Sequence, residues 1–495
     1  MANRISNLGP SGMDIEATVK SLMTARRVPY DKMFQNKTLA EWKKASYNTM
    51  YNTVSDFRTT VFNNSLQATM APKQASSSDE KVATVSAKAD AANVGHDLIV
   101  TTLASGVKKT SSEAITASGN SKTTLASQFG ISGTFSLSIK NGSTTKTIAV
   151  DTSKSINELV SSINNAGVDV SASYDATLDR FFLSTKTTGA TASLDFTGSD
   201  DAAKLFLKNN LKIGDPAVVA KGTDAAFTLD GVDLTQSTNT FTISGVSYSL
   251  KSTSTSTVKV AVSSDIDTTV ANVKKFIESY NAMLSKVNTA ADETRYKDYL
   301  PLSDAQKTEM KEADITAWDL KAKSGMLRND PILRSLVDGV RSNVSTPVSG
   351  ISGSYTTASS IGISTLDYSE GGKLYLDENK LRTALTTDSE AVSKIFGATG
   401  TTSSSKGIAV RMYDTLKTAM DKIVTEAGIT AGVSGDTKSS LAKKINTYTN
   451  DMYELNNRLA DIEDRYYKQF DAMEVALTKL QNQSSWLSQQ LGTSG

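Results

Sequence analysis

The C-terminal end of the chain constrains the fold most, because residues 437–491 have the pattern of one long amphipathic helix. The stretch contains no Pro or Gly, and its apolar residues recur in steps of four and three. This is the spacing of a heptad seam that packs on a partner helix. A single helix of this length would expose the seam to water, so its stability has to come from packing on other helices. The seam residues that we predict to take part in assembly are Met452, Leu455, Leu459, Ile462, Tyr466, Phe470, Met473, Leu477 and Leu480.

A second helical pattern lies near the N-terminus and offers a partner for that seam. Its apolar face carries the candidate assembly residues Met13, Ile15, Val19 and Leu22, followed by Met23. Pro29 is expected to kink or restart the helix, because proline removes a backbone donor and clashes with the preceding turn. A further helical run is predicted over about residues 30–66. These helices can pair with the C-terminal helix either within one chain, as an antiparallel bundle, or between subunits, and both arrangements stay open.

Between the helical ends, residues 75–263 have the pattern of β-strands. They are rich in Ser, Thr, Ala, Val and Gly, and polar and apolar residues alternate. Asn141-Gly142 and Asp230-Gly231 are hairpin turn signals. One amphipathic helix, predicted at residues 155–167, interrupts the strands, so we expect at least two small β-rich domains.

Helical patterns return after the β-rich stretch, at residues 268–288, at 332–344, from about Asp377, and at 408–423. The sequence therefore predicts an α+β multidomain fold, in which N- and C-terminal helices form a coiled-coil or helical-bundle leg and β-rich head domains are inserted. The predicted boundaries are 1–40 plus 455–495 for the leg, 41–75 plus 264–454 for a helical bundle domain, 76–125 plus 222–263 for a β-rich head domain, and 126–221 for a distal head domain.

Composition argues against several kinds of chemistry. Cysteine is absent and histidine occurs once, at His96, which excludes disulfides, Cys-ligated metal centres, thiol catalysis and any site that needs two histidines. The formal charge is +1, from 53 basic and 52 acidic residues, so no global field attracts nucleic acid or an anionic membrane. Ser105 to Lys108 satisfy the short S-x-x-K pattern, but its accompanying S-D-N and K-T-G elements are missing. We therefore predict no enzymatic activity, no cofactor, no metal and no nucleic-acid partner.

The N-terminus does not have the pattern of a secretory signal. It has no basic region followed by a continuous apolar core, so no cleaved secretory signal is predicted. No run approaches about 18 uninterrupted apolar residues, so no transmembrane helix is expected. If the protein leaves the cell, we expect a route that does not cleave such a signal.

Several stretches, taken in order, carry a family resemblance. They include SGMDIEATVKSLM at 11–23, SSINNAGVDVSASYD at 161–175, FIESYNAMLSKVN at 276–288, GGKLYLDENKLRTAL at 371–385 and QFDAMEVALTKLQNQSSWLSQQLG at 469–492. Together they resemble the bacterial flagellar filament cap proteins, also called hook-associated protein 2. The SSINNAGV segment is similar to a repeat shared by several flagellar axial proteins. Met13 is a departure, because the family's opening motif usually carries Leu there.

The resemblance implies a structural function rather than a catalytic one. Family members are exported through the flagellar channel and form a plate at the distal filament end, usually described as a pentamer, under which flagellin folds into place. For this chain the resemblance implies a secreted, extracellular protein at the distal tip of the bacterial flagellum. The implied partners are further copies of the chain, flagellin, the filament end and an export chaperone. Two alternatives stay open: another flagellar axial protein, and a surface adhesin that binds glycans through the Ser/Thr-rich head, residues 76–263.

Overall fold

The computed structural model describes residues 12–116, 123–429 and 435–492. The chain divides into two compact units, which we call the helical unit, residues 1–70 and 267–495, and the β-rich unit, residues 71–266. The β-rich unit is therefore an insertion between the first helices of the helical unit and the rest of it. The predicted mixed α+β fold with an inserted β-rich part is confirmed.

The regular elements are numbered in chain order. The helices are α1 Ile15–Asn64, α2 Gln67–Met70, α3 Leu125–Phe129, α4 Ile156–Asn164, α5 Asp201–Leu205, α6 Ile266–Asp292, α7 Asp304–Thr308, α8 Glu312–Lys323, α9 Pro331–Ser345, α10 Glu378–Gly397, α11 Ile408–Ala427 and α12 Ser440–Gly492. The strands are β1 Lys73–Ser77, β2 Ala83–Ala87, β3 Gly95–Thr102, β4 Lys108–Thr110, β5 Thr134–Asn141, β6 Thr144–Asp151, β7 Val170–Asp175, β8 Arg180–Thr185, β9 Ser193–Leu194, β10 Ala220–Lys221, β11 Ala225–Leu229, β12 Val232–Gln236, β13 Thr240–Ile243, β14 Val246–Leu250, β15 Val258–Ser264, β16 Ile363–Thr365 and β17 Leu374–Leu376.

Helix α1 is one continuous helix of 50 residues, so the restart expected at Pro29 is wrong, while the alternative, a kink at Pro29, stays a prediction. The Asp14 side chain caps its first turn by accepting a hydrogen bond from the amide of Ala17 at 2.9 Å. Pro29 leaves the carbonyl of Ala25 without its helical donor. Both residues are exposed, so water can hydrate that carbonyl. Packing of the helix on α12 on either side of Pro29 then outweighs the local cost of about 3 kcal/mol.

The C-terminal half of α1 lies in the core of the helical unit. Phe57 is buried and its ring lies 6.0 Å from that of Phe276 on α6. Phe276 in turn meets Phe396 on α10 edge to face, at 5.5 Å. Each such side chain contributes about 1.5–3 kcal/mol when it is fully buried. This aromatic row fixes α1, α6 and α10 around one core.

The first core of the β-rich unit lies on antiparallel strands. One sheet has the strand order β1-β15-β3-β11-β12, and a second has the order β13-β14-β2. The hairpin expected at Asp230-Gly231 is confirmed: Leu229 pairs with Val232, and the two turn residues have φ of +52° and +80°. Positive φ at both positions is the type I′ geometry, which Gly tolerates without strain.

The second core of the β-rich unit contains β4 to β8 and α4. The hairpin predicted from Asn141-Gly142 is confirmed, but Asn141 pairs with Thr144, so the turn consists of Gly142 and Ser143. Helix α4 is shorter than predicted, and a capping box between Ser155 and Glu158 sets its start. The proposed division of the chain into four domains stays a prediction.

Candidate assembly site

The site predicted from the sequence lies where α1 and α12 pack together within one chain. Two contacts show that the helices run antiparallel. Lys44 of α1 lies beside Asp436, just before α12 begins. Arg26, nearer the start of α1, donates from Nε to the hydroxyl oxygen of Tyr466 at 3.3 Å, far along α12. Of the two arrangements that the sequence left open, the pairing within one chain is therefore observed.

An apolar cluster joins the two helices near the start of α1, and we call it the leg cluster. Ile15, Val19, Met23 and Leu459 are buried in it. Its partly buried members are Tyr30, Leu455, Ile462, Tyr466, Tyr467 and Phe470. Seven predicted assembly residues thus come together here, namely Ile15, Val19, Leu455, Leu459, Ile462, Tyr466 and Phe470.

The leg cluster also contains residues that the predicted site omitted. Met23 lies on the predicted apolar face of α1 but was not included in the site. Tyr30 follows Pro29, where the helix was expected to break, and the unbroken α1 places it in the cluster. Tyr467 directly follows the seam residue Tyr466 and does not fit the four-and-three spacing of the seam. The signal for Met23 was present in the sequence, whereas Tyr467 needs the actual helix geometry.

The other predicted residues lie outside the leg cluster. Met452 is buried, and Met473 and Leu477 are partly buried. Met13 and Leu22 are each 39% exposed, and Leu480 is 60% exposed. Whether any of these residues takes part in assembly stays a prediction.

The end of α12 presents apolar side chains to solvent. Residues 481–490 are all exposed. They include Trp486 at 58% and Leu487 at 54%, and Leu480 precedes them. Leu480 and Leu487 lie about two turns apart on the same face of the helix.

A buried ion pair fixes the start of α12. The Lys44 side chain is fully buried, and its ammonium donates to the Asp436 carboxylate and to the carbonyl of Ala427 at the end of α11. The same carboxylate accepts from the Ser439 hydroxyl at 2.7 Å and from the Lys438 amide at 3.2 Å. Burial alone would raise the pKa of Asp436, but these hydrogen bonds outweigh it and hold the pKa far below its usual range.

A groove beside the leg cluster has no catalytic arrangement. It encloses about 580 Å³, and its lining includes Lys20, Arg27, Asp31, Ser303, Glu463 and Tyr467. In the part of the chain that the structure describes, no three His, Cys, Asp or Glu side chains form a group that could hold a metal ion. Within the same residues, no helix is both long and apolar enough to cross a lipid bilayer.

Family models identify the class of this architecture. The model described as "Flagellar hook-associated protein 2 C-terminus" matches residues 222–482, and the one described as "Flagellar hook-associated protein 2 N-terminus" matches residues 11–107. A "Flagellin hook IN motif" matches residues 134–187, which include the SSINNAGV segment. The fold and the paired terminal helices are thus those of a structural, non-enzymatic protein of the flagellum.

Individual relatives extend the match over the whole chain. The chain is 30% identical to flagellar hook-associated protein 2 of Halalkalibacterium halodurans, over 97% of this chain and 98% of that one. It is 26% identical to the B-type protein of Pseudomonas aeruginosa, over 86% and 85%. The chain therefore belongs to the flagellar hook-associated protein 2 family, the flagellar cap proteins.

The fold is similar to that of a solved cap structure. The D1-D2-D3 domains of the flagellar cap protein from Escherichia coli superpose with a TM-score of 0.58, over 82% of this chain and 99% of that chain. Sequence identity in that superposition is 21%, so the likeness concerns the fold alone.

Proposed function

We propose that this protein caps the distal end of the flagellar filament, retains flagellin subunits that arrive there, and promotes their polymerisation. Family membership supports the cap function. The observation that carries the mechanism is the exposed apolar end of α12, because Leu480, Trp486 and Leu487 lie on the helix whose earlier turns pack on α1. We infer that the filament end covers this surface after assembly.

In this proposal, the paired helices α1 and α12 form the leg that reaches the filament. Burial of apolar area stabilises such a contact by about 25 cal/mol per Å², offset by the cost of ordering the side chains involved. The leg cluster holds the two helices together, so that the exposed end of α12 starts from a fixed base. In this proposal, the predicted assembly residues of the leg cluster hold the two helices together, and the exposed Leu480 belongs to the surface that contacts the filament.

The proposed partners follow from the same arrangement. Several copies of the chain, described for the family as a pentamer, form the plate, and flagellin folds beneath it. The protein is secreted through the flagellar channel and acts extracellularly at the tip, with an export chaperone before secretion. No catalytic step is required, because retention and release of flagellin depend on steric contact and weak binding.

Immunogold electron microscopy of intact flagellated cells tests the proposal directly. Gold confined to distal filament tips is the expected result. Label along the shafts, at the hook or over the cell body would contradict it. A strain that lacks the protein should release unpolymerised flagellin into the medium, and complementation with the full chain should restore filaments.

A further inference from the structure

A cavity in the helical unit has five basic side chains and one acidic side chain among its lining residues. It lies where α1 and the first turns of α12 meet the segment between α6 and α9, and it encloses about 670 Å³. Its basic lining residues are Lys43, Arg295, Lys297, Arg328 and Lys444, and its one acidic lining residue is Glu426. We call it the basic cavity. Its local excess of positive charge contrasts with the nearly neutral chain.

The lysines of the basic cavity lack carboxylate partners. In residues 12–116, 123–429 and 435–492, no ion pair within 4.0 Å involves Lys43, Lys297 or Lys444. Lysines elsewhere on helices do form such pairs, as Lys417 does with Asp421 at 2.6 Å, one turn away. Three lysines without a carboxylate within 4.0 Å repel one another, so an anionic partner would be bound favourably.

Hydrogen bonds hold the Arg295 side chain of the basic cavity in place. Arg295 donates from Nη1 to the carbonyl oxygens of Ala322 at 2.7 Å and Ser324 at 3.0 Å. Gly325 comes next, with φ of +62°, and a Cβ there would lie 2.8 Å from the backbone of Arg295. A side chain at this position is therefore excluded both by its backbone conformation and by space. Arg295 is thus held in position before any partner binds.

An exposed acidic segment in the same unit has the complementary charge. Residues 304–314 contain Asp304, Glu309, Glu312 and Asp314, all exposed, against two lysines. None of these four carboxylates forms an ion pair within the described residues. Leu320, farther along α8, is 70% exposed and could add an apolar contact. We call residues 304–314 the acidic segment.

We propose that the basic cavity of one copy binds the acidic segment of a second copy of this chain. The inference rests on the proposed assembly of several copies at the filament end. A contact between two different surfaces of the same chain is heterologous, and repetition of such a contact closes a ring or extends a helix. Both surfaces carry charges that form no ion pair within the described residues, so their association would neutralise both.

Cysteine cross-linking tests the contact, because the chain has no cysteine of its own. One full-length chain carries Lys444→Cys and a second, of different mass, carries Glu312→Cys. After mixing and mild oxidation, the mixed disulfide should form about tenfold faster than with Lys417→Cys, an exposed control on α11. The preference should vanish in 1 M salt, where the screening length falls to about 3 Å. Equal rates for the two pairs would overturn the proposal.

Charge reversal provides a second test. Lys43→Glu with Lys444→Glu should weaken self-association about tenfold or more, as measured by sedimentation. Adding Glu312→Lys and Asp314→Lys to the same chain should restore it, because the two surfaces are again opposite in sign. Tryptophan fluorescence checks that each variant is folded.

The outcomes separate this inference from the proposed function. Unchanged association after reversal, or no rescue by the second pair of changes, would overturn the contact. Gold at filament tips together with a failed cross-link would leave the cap proposal standing and remove only this inference.

Discussion

The buried pair of Lys44 and Asp436 gives the sharpest prediction of stability. Lys44→Met removes the ammonium but keeps the length and apolar character of the side chain. It leaves the Asp436 carboxylate, which is only 12% exposed, without its charged partner. The carbonyl of Ala427 at the end of α11 also loses its side-chain donor. The change therefore weakens the junction between α11, α12 and α1.

The expected loss follows from the surroundings of the carboxylate. Breaking a buried ion pair by removing one partner costs about 3–5 kcal/mol. Asp436 keeps its hydrogen bonds from Ser439 and Lys438, so we expect the lower end, a decrease of about 3 kcal/mol in the free energy of unfolding. The double variant Lys44→Met/Asp436→Asn removes both charges. Its free energy of unfolding should exceed that of Lys44→Met alone by at least about 1 kcal/mol.

Tryptophan fluorescence in guanidinium chloride measures this loss of stability in the helical unit. The chain has three tryptophans, Trp42, Trp318 and Trp486, and all belong to the helical unit. The fluorescence midpoint therefore reports the helical unit, while far-UV circular dichroism also follows the β-rich unit. A loss below about 1 kcal/mol for Lys44→Met, or a double variant less stable than the single one, would refute the reasoning.

The same pair predicts a pH dependence. The pKa of Asp436 is lowered in the folded protein, so its stabilising contribution is present above its unfolded pKa, about 3.9. It is lost as the pH falls toward the folded pKa. The stability difference between the wild type and Asp436→Asn should stay constant from about pH 5 to 8 and shrink below about pH 4. A difference that grows on acidification would contradict this sign.

Four further predictions concern other parts of the molecule. Leu459→Asp should abolish capping and leave the β-rich unit folded, because a charge in the leg cluster is costly to bury. Cell motility measures the loss of capping. Tyr453→Asp, at a site that is 70% exposed, is the control. Phe276→Ala should destabilise the helical unit by about 3–5 kcal/mol in the fluorescence assay, and a loss under about 1 kcal/mol would contradict the aromatic row. Amides of residues 481–490 should exchange rapidly in a dilute monomer and become protected on assembly; strong protection in the monomer would argue against a surface completed by the filament. Asp230→Asn should keep the hairpin fold, as measured by circular dichroism, because Asn tolerates positive φ. It should lower stability near neutral pH, since the hydrogen bonds from His96 and the Asp97 amide hold the pKa of Asp230 down. The loss should diminish in acid, and equal stability at neutral pH would contradict the prediction.

Periodicity predicted the elements of the leg well and their partners less well. The C-terminal helix was predicted at residues 437–491 and spans Ser440–Gly492. The spacing of its apolar residues identifies a face, but it does not say what covers that face. Leu459 and Leu480 fit one pattern equally, yet Leu459 is buried and Leu480 is 60% exposed. The difference depends on where α1 begins and how it aligns with α12, which is tertiary information.

Local rules failed where distant contacts dominate. Pro29 is a helix breaker by propensity, but packing of α1 on α12 keeps the helix continuous. Lys44 would be placed on a solvated face by its charge, and its partner Asp436 is 392 residues away. Turn signals are different, because their geometry is encoded in a few neighbouring residues. Both predicted hairpins were therefore found, with the turn at Asn141-Gly142 displaced by one residue.

The first and last strands of the β-rich unit pair with each other, from Lys73 opposite Ser264 to Ser77 opposite Val260. Neighbouring strands lie about 4.8 Å apart, so the chain leaves the insertion almost where it entered. The gap that the rest of the polypeptide must bridge is therefore independent of what lies between these two strands. Insertions and deletions in the loops between these two strands would leave that gap unchanged, as long as β3 still pairs with β15. The sequence of the β-rich unit can therefore change during evolution separately from that of the terminal helices.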